Sequence, residues 1–226
     1  LPSLDGPSPI SPAFVAMRVT VCIFSFLFIA ATVTSFRRSY DRELFHAHRD
    51  RMTGTLNKEI FHRRCAKAIE DAGHTRQTLL LAVLDLDDFK AVNSREGHLA
   101  GDDVLRTFAK GASAIMRRED LIGRIGGGEF ALLVRGPPSA AGISFACEIH
   151  ARLSAVLAQS RHPVTCSMGA LLIPPEASRD AGELMHATDM VMYRAKNAGK
   201  NAVEIAEAGN AIAGRQFAGA GRKALA

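Results

Sequence analysis

The densest chemistry in the chain begins at Asp85-Leu86-Asp87, where two carboxylates bracket the last residue of an apolar run, and continues through Asp88-Phe89-Lys90. Carboxylates at the end of a strand are hard oxygen ligands suited to magnesium, which takes one or two of them together with substrate phosphates. The same D-x-D is equally compatible with capping of the helix that follows. Its downstream company favours chemistry: Asn93, then Gly97-His98 and Gly101-Asp102, then Gly126-Gly127-Gly128-Glu129-Phe130. Other reactive side chains are less promising. His46, His48 and His62 have no metal-ligand spacing with nearby acids. Met185, Met190 and Met192 are expected to pack a helix, and Cys166 to lie in a strand as core, since no base for a nucleophile is identifiable.

These residues need elements to position them. Leu56 to Ala72 carries apolar positions in helical rhythm, with Thr53 and Thr55 able to cap its start. Thr78 to Leu86 is a continuous Leu/Val run of strand length, which suits a central strand buried on both faces. The pattern then predicts a helix over Leu99 to Met116 and strands over Leu121 to Ile125 and Phe130 to Val134, joined by the triple-glycine turn. A helix over Ala140 to Gln159, a strand over Val164 to Ile173, a helix over Ala181 to Asn197 and a short strand over Ala202 to Ile205 complete the order. Connections through helices imply parallel pairings and the hairpin an antiparallel one. The expected fold class is therefore α/β (α+β), a mixed sheet with flanking helices.

The 226 residues are 47% hydrophobic and 23% charged, which excludes a mainly disordered chain. Four cysteines without a C-x-x-C pair suggest neither a disulfide framework nor a thiolate zinc site. The net charge of +5 is dispersed, and tryptophan is absent, so no nucleic acid partner is expected. After an N-terminal flank, 1–18, an uncharged stretch from Val19 to Phe36 is followed by Arg37 and Arg38 and preceded only by Arg18. At roughly 1.5 Å per residue it reaches the lower limit for about 30 Å of hydrocarbon. A signal peptide would put its basic residues first, so one transmembrane helix over 19–36 is preferred, with a lipid membrane as partner and the remainder in the cytoplasm. A chain that opens on Leu1 is expected to be the C-terminal part of a longer protein. Residues 37–51 form an expected connector helix with Phe36, Tyr40 and Leu44 on one stripe, either solvated or pairing two chains. Residues 52–205 make the main domain, and 206–226, rich in Ala and Gly, a flexible tail.

With these elements in place the chain resembles the GGDEF family, the diguanylate cyclases that condense two GTP into cyclic di-GMP. The resemblance runs from about Asp50 to Ile205. It rests on Asp50 with Thr53-Gly54 and Asn57, DLDDFKAVN at 85–93, GHLAGD at 97–102, RIGGGEF at 124–130, VTCSMGA at 164–170 and ATDMVMYRAKNAGKN at 187–201. It implies a five-stranded sheet of the nucleotidyl cyclase and polymerase palm type, a homodimer, and a bacterial inner-membrane setting with the domain in the cytoplasm. It also implies Mg2+ held by Asp85 and the Leu86 carbonyl. Asn93 and Asp102 then read guanine, Phe89 and Lys90 lie in the phosphate-facing turn, and Lys196 and Lys200 hold the triphosphate. Lys200 stands where arginine is commoner, which loses the bidentate fork.

The main departure is Gly128, where the family has Asp or Glu as a metal ligand. Its loss removes about one negative charge, and Glu129 beside it projects differently along the backbone. The expectation is a module that binds GTP, cyclic di-GMP or both with impaired cyclase activity. The alternatives are an active cyclase in which Glu129 compensates, and a structural partner of another cyclase or phosphodiesterase. Ser94 is a second departure, where many relatives have Asp. Arg117 and Asp120 form the R-x-x-D that in relatives binds product as a feedback inhibitor, with Arg124 expected on the same face. Arginine offers bidentate contacts to phosphate or a guanine edge, and aspartate accepts from guanine N–H groups. Outside the resemblance the pair would read as an i,i+3 ion pair at a helix end.

Overall fold

The computed structural model describes residues 12–137, 139–177 and 180–209; the side chains of 12–16, 36–47 and 139–140 lie outside the description. The chain divides into two units, Leu1–Ala47 and His48–Ala226. In the first, one helix, α1, runs over Pro12–His48. It joins the expected span and most of the expected connector without a break, and Arg49 to Arg51 lie beyond its end. Its Met17–Ser35 window is long and apolar enough to cross a membrane by length and composition. Phe24, Phe26 and Phe28 stand exposed on it. The Thr32 hydroxyl donates back to the Phe28 carbonyl at 2.8 Å, so this polar group is satisfied within the helix. The side chains of the Phe36, Tyr40 and Leu44 stripe are among those not described, as are residues 1–11 and 210–226.

The second unit holds β1 (Leu56–Asn57), α2 (Lys58–His74), β2 (Leu79–Leu86), α3 (Phe89–Glu96), α4 (His98–Ile115), β3 (Leu121–Arg124) and β4 (Glu129–Arg135). After these come α5 (Ser139–Ala158), β5 (Cys166–Ile173), α6 (Ala181–Asn197) and β6 (Val203–Glu207). They form one sheet in the order β1-β3-β4-β2-β5-β6. Strand β2 is central and antiparallel to both neighbours, whereas β1 with β3 and β5 with β6 are parallel. The five expected strands are β2 to β6, and β1 is a two-residue addition. Helical connections do give parallel strand directions here. Only β5 and β6 become direct neighbours through one, because β2 inserts between β4 and β5.

Alternation along β2 builds two cores. Leu80, Ala82, Leu84 and Leu86 face α4 and α5 in one, with Phe108 and Phe130 rings 4.6 Å apart. Leu79, Leu81 and Val83 face α2 and α6 in the other, beside Phe61, Ile69 and Leu184. With both faces covered, the strand reads in sequence as an unbroken apolar run rather than an alternation. Gly169 on β5 permits the close approach of α6, because a Cβ there would run into the Met192 backbone.

Several boundaries differ from expectation for identifiable reasons. Helix α2 starts at Lys58 because Asn57 caps it, its Oδ1 accepting from the Ile60 amide at 3.0 Å. Thr53 and Thr55 instead bond each other, and Thr53 bonds Asp50. Strand β6 continues to Glu207, and Ala208 is fully buried, so 206–209 belong to the fold and not to a tail. Met192 is buried as expected, whereas Met190 points outward at 46% exposure. Cys166 is core, and burial pushes its thiol up to about 12.

Candidate nucleotide site

The β2 strand delivers Asp85 to the end of the sheet, where its side chain is 14% exposed. Lys196, in the last turn of α6, donates from Nζ to Asp85 Oδ2 at 2.7 Å. A second pair lies alongside, Lys200 Nζ to Asp88 Oδ1 at 2.7 Å. The hydrogen bond from Lys200, with its charge, holds the Asp88 carboxyl below its ordinary value, and Asp88 in return raises Lys200. Both lysines assigned to phosphate thus rest on carboxylates. Lys90 is exposed on α3.

Asp87, the second carboxylate of the D-x-D, does something sequence reasoning missed. It is 2% exposed and turned away from solvent. It accepts from Thr165 Oγ1 at 2.6 Å, Ser167 Oγ at 2.8 Å and the Asn201 amide at 2.9 Å. The last bond pins a loop in which Gly199, Lys200 and Asn201 all have positive φ. Left-handed backbone at two non-glycine residues is strained by about 1–3 kcal/mol each. Asp87 holds that strained loop in place, and the loop brings the Lys200 ammonium over Asp88. Its signal in the sequence was only the spacing it shares with Asp85.

The glycine turn closes the opposite wall. The Leu86 amide donates to the Gly128 carbonyl at 3.0 Å, so position 128 sits beside the end of β2. A Cβ on Gly128 would stand 3.2 Å from the Phe89 ring, a tight contact with a side chain that packs partly into the core. Asp85 and Glu129 are cross-strand partners and share a face of the sheet. The Glu129 carboxylate bends back over the turn, where a Cβ on Gly126 would meet it.

These donors do not fit the magnesium clamp implied by the resemblance. One of its two carboxylates is absent, and the other has an oxygen bonded to an ammonium. Among the described residues no group of three or more His, Cys, Asp or Glu side chains could hold a metal ion. No step is derived through the metal.

The two residues expected to read guanine lie on consecutive helices, Asn93 on α3 and Asp102 on α4. Asn93 on α3 lies against Gly101 on α4, where any Cβ would collide with the Asn93 amide group. Asp102, the next residue along α4, makes a long, 3.5 Å bond to Arg106, and its side chain is partly exposed. Ser94 only back-bonds to the Lys90 carbonyl. A separate concavity of about 700 Å³ between α2 and α6 is lined by Lys67, Glu70, Asp71, His74 and Asp180 and includes none of these motif residues.

At the R-x-x-D turn, Asp120 Oδ2 accepts from the Arg117 amide at 2.8 Å, so this contact is a turn cap and not a side-chain ion pair. Asp120 Oδ1 is buried and has no hydrogen-bond partner among the described residues, and Arg117 is exposed. Arg124 has other partners among the described residues. Its guanidinium bonds the Gly126 and Gly127 carbonyls at 2.8–3.2 Å and Asp50 at 3.2 Å, tying the glycine turn to the segment before β1. Burial would raise the Asp50 carboxyl, but hydrogen bonds from Thr53 and the Arg124 charge outweigh it and hold it below its ordinary value.

Comparison with known proteins agrees with this geometry. The family described as diguanylate cyclase, GGDEF domain, matches residues 47–202. The diguanylate cyclase TpbB of Pseudomonas aeruginosa is 35% identical over 165 residues, 71% of this chain and 38% of that protein. The probable diguanylate cyclase DgcC of Escherichia coli is 29% identical over 160 residues, 70% of this chain and 43% of its own. The chain thus spans less than half the length of these relatives. Among solved structures, the coiled coil and GGDEF domain of DgcB from Caulobacter crescentus, in complex with c-di-GMP, is 26% identical. It covers 82% of this chain and 99% of its own, with a TM-score of 0.71. The fold, the ordered motifs and these matches together show that the chain belongs to the GGDEF domain family.

Proposed function

We propose that this chain is a membrane-anchored module of cyclic di-GMP signalling that binds GTP, cyclic di-GMP or both and has impaired cyclase activity. The observation that carries the reading is the wall at position 128. It presents a hydrogen and a phenyl ring where an active member presents a carboxylate, while Asp85 is neutralised by Lys196. Loss of a ligand or acid/base group at a reacting centre costs orders of magnitude in rate. Nucleotide binding is supported by Asn93 packing against Gly101, the residue before Asp102, and by Lys196 and Lys200 meeting Asp85 and Asp88 at the end of β2. Each chain offers one such groove, so joining two nucleotides would need a homodimer.

Product binding is supported by the turn at 117–120. A buried carboxylate oxygen without a donor is costly, at about 1–3 kcal/mol, and a guanine N–H would satisfy it. Arg117 stands beside it for a phosphate or a base edge. The apolar α1 window followed by Arg37 and Arg38 supports a single inner-membrane anchor with the second unit in the cytoplasm.

One observation favours the active-cyclase alternative: the register that puts Glu129 directly across from Asp85 supplies a second carboxylate on the same sheet face. Calorimetric titration of the full chain in detergent with GTP and with cyclic di-GMP tests the binding reading. Dissociation constants below about 1 mM are expected. Binding of neither nucleotide would leave only the structural-partner role.

A further inference from the structure

The mismatch between the donors and magnesium leads to a second property of the groove. We propose that the chain holds the triphosphate of its guanine nucleotide without a divalent cation, the ammonium groups of Lys196 and Lys200 supplying the counter-charge. The proposal rests on the reading of the groove as a guanine nucleotide site.

Three features of the groove support it. First, the position a metal would take against Asp85 is already served by a cation, Lys196 Nζ at 2.7 Å from Oδ2. A divalent ion approaching that carboxylate meets like charge. Second, position 128 carries no side-chain ligand, and the Phe89 ring stands 3.2 Å from where its Cβ would be. Third, Lys196 and Lys200 are both reachable, with side chains 37% and 46% exposed, so each can turn from its carboxylate to an incoming phosphate. Lysine is a flexible point charge and binds phosphate as such, without the fixed fork that would lock it to one partner. Lys90, exposed on α3, adds a third positive charge near the same turn.

In this arrangement Asp85 and Asp88 compete with the nucleotide for the ammonium groups. Removing a competitor therefore strengthens binding, whereas removing a metal ligand would weaken it.

The test uses the full chain in detergent and 3′-deoxy-GTP, which lacks the attacking hydroxyl and so reports binding alone. Titrations are run with magnesium and with EDTA, on the unaltered chain and on Asp85→Asn. The unaltered chain is expected to bind with affinities within about threefold of each other in the two buffers. In EDTA, Asp85→Asn is expected to bind about threefold tighter, the scale of a partly exposed ion pair released. A larger loss of affinity on removing magnesium, or an unchanged or weaker Asp85→Asn, would overturn the proposal while leaving the groove a nucleotide site. No binding in either buffer would overturn both. Circular dichroism of the variant confirms that it is folded.

Discussion

The groove at Asp85 and the turn at Arg117 carry comparable chemistry and treat it in opposite ways. In the groove, Asp85, Asp87 and Asp88 all have partners, so the site is electrostatically closed on itself. At the turn, a buried Asp120 oxygen has no donor among the described residues, and the exposed Arg117 lies three residues before it. An internally paired site must break bonds to bind a ligand, whereas an unpaired one gains bonds.

The largest expected effect breaks the closed side. Asp87→Ala leaves two hydroxyls and the Asn201 amide without an acceptor and frees the strained loop, so unfolding stability should fall by about 3 kcal/mol. Denaturant midpoints compared with those of Asp88→Ala, whose exposed pair contributes little, check this. Arg117→Ala strikes the open side. Loss of a charge-assisted contact should weaken cyclic di-GMP by about 2 kcal/mol, roughly thirtyfold, with GTP affinity unchanged. Lys200→Ala should show the reverse pattern in the same titrations.

Gly128→Asp sharpens the contrast by returning a carboxylate to the groove. Synthesis of cyclic di-GMP should rise about tenfold, or 1.4 kcal/mol of barrier, if the missing group is the limiting defect. Stability should drop by about 1 kcal/mol because Phe89 must shift. The smallest effect concerns Asp50, which ties the glycine turn through Arg124. Its carboxyl is lowered in the folded chain, so its stabilisation is complete above about pH 4 and is lost as the pH falls through the lowered value. Arg124→Ala should reduce that acid-side loss by less than about 1 kcal/mol, measured as the difference between denaturation near neutral pH and near pH 3.

Much of the fold was legible because local rules and burial agree. Helix α6 has the expected bounds, since Asp180 caps its start and the glycine-containing loop ends it. Strand β2 was legible as a central strand because both its faces are buried. The place of β2 between β4 and β5 was not legible, because helical crossovers fix direction and not adjacency. Strand β1 escaped because two residues have no period to detect. In the site, Asp85 and the glycine turn were visible as motifs. The pairing of Asp85 with Lys196, 111 residues away, and of Arg124 with Asp50, 74 away, depends on tertiary packing that no local spacing encodes. Asp87 looked like a ligand because its type and spacing match one, and only its burial shows that it braces the loop.

The central claim, a groove that keeps its nucleotide contacts but has lost its chemistry, is tested most directly by incubating the full chain with GTP and magnesium and quantifying cyclic di-GMP by mass spectrometry, with bound GTP measured on the same sample. Bound nucleotide with no product above background is the predicted result. Several turnovers per chain would contradict it and make Glu129, across from Asp85, the ligand that compensates for Gly128.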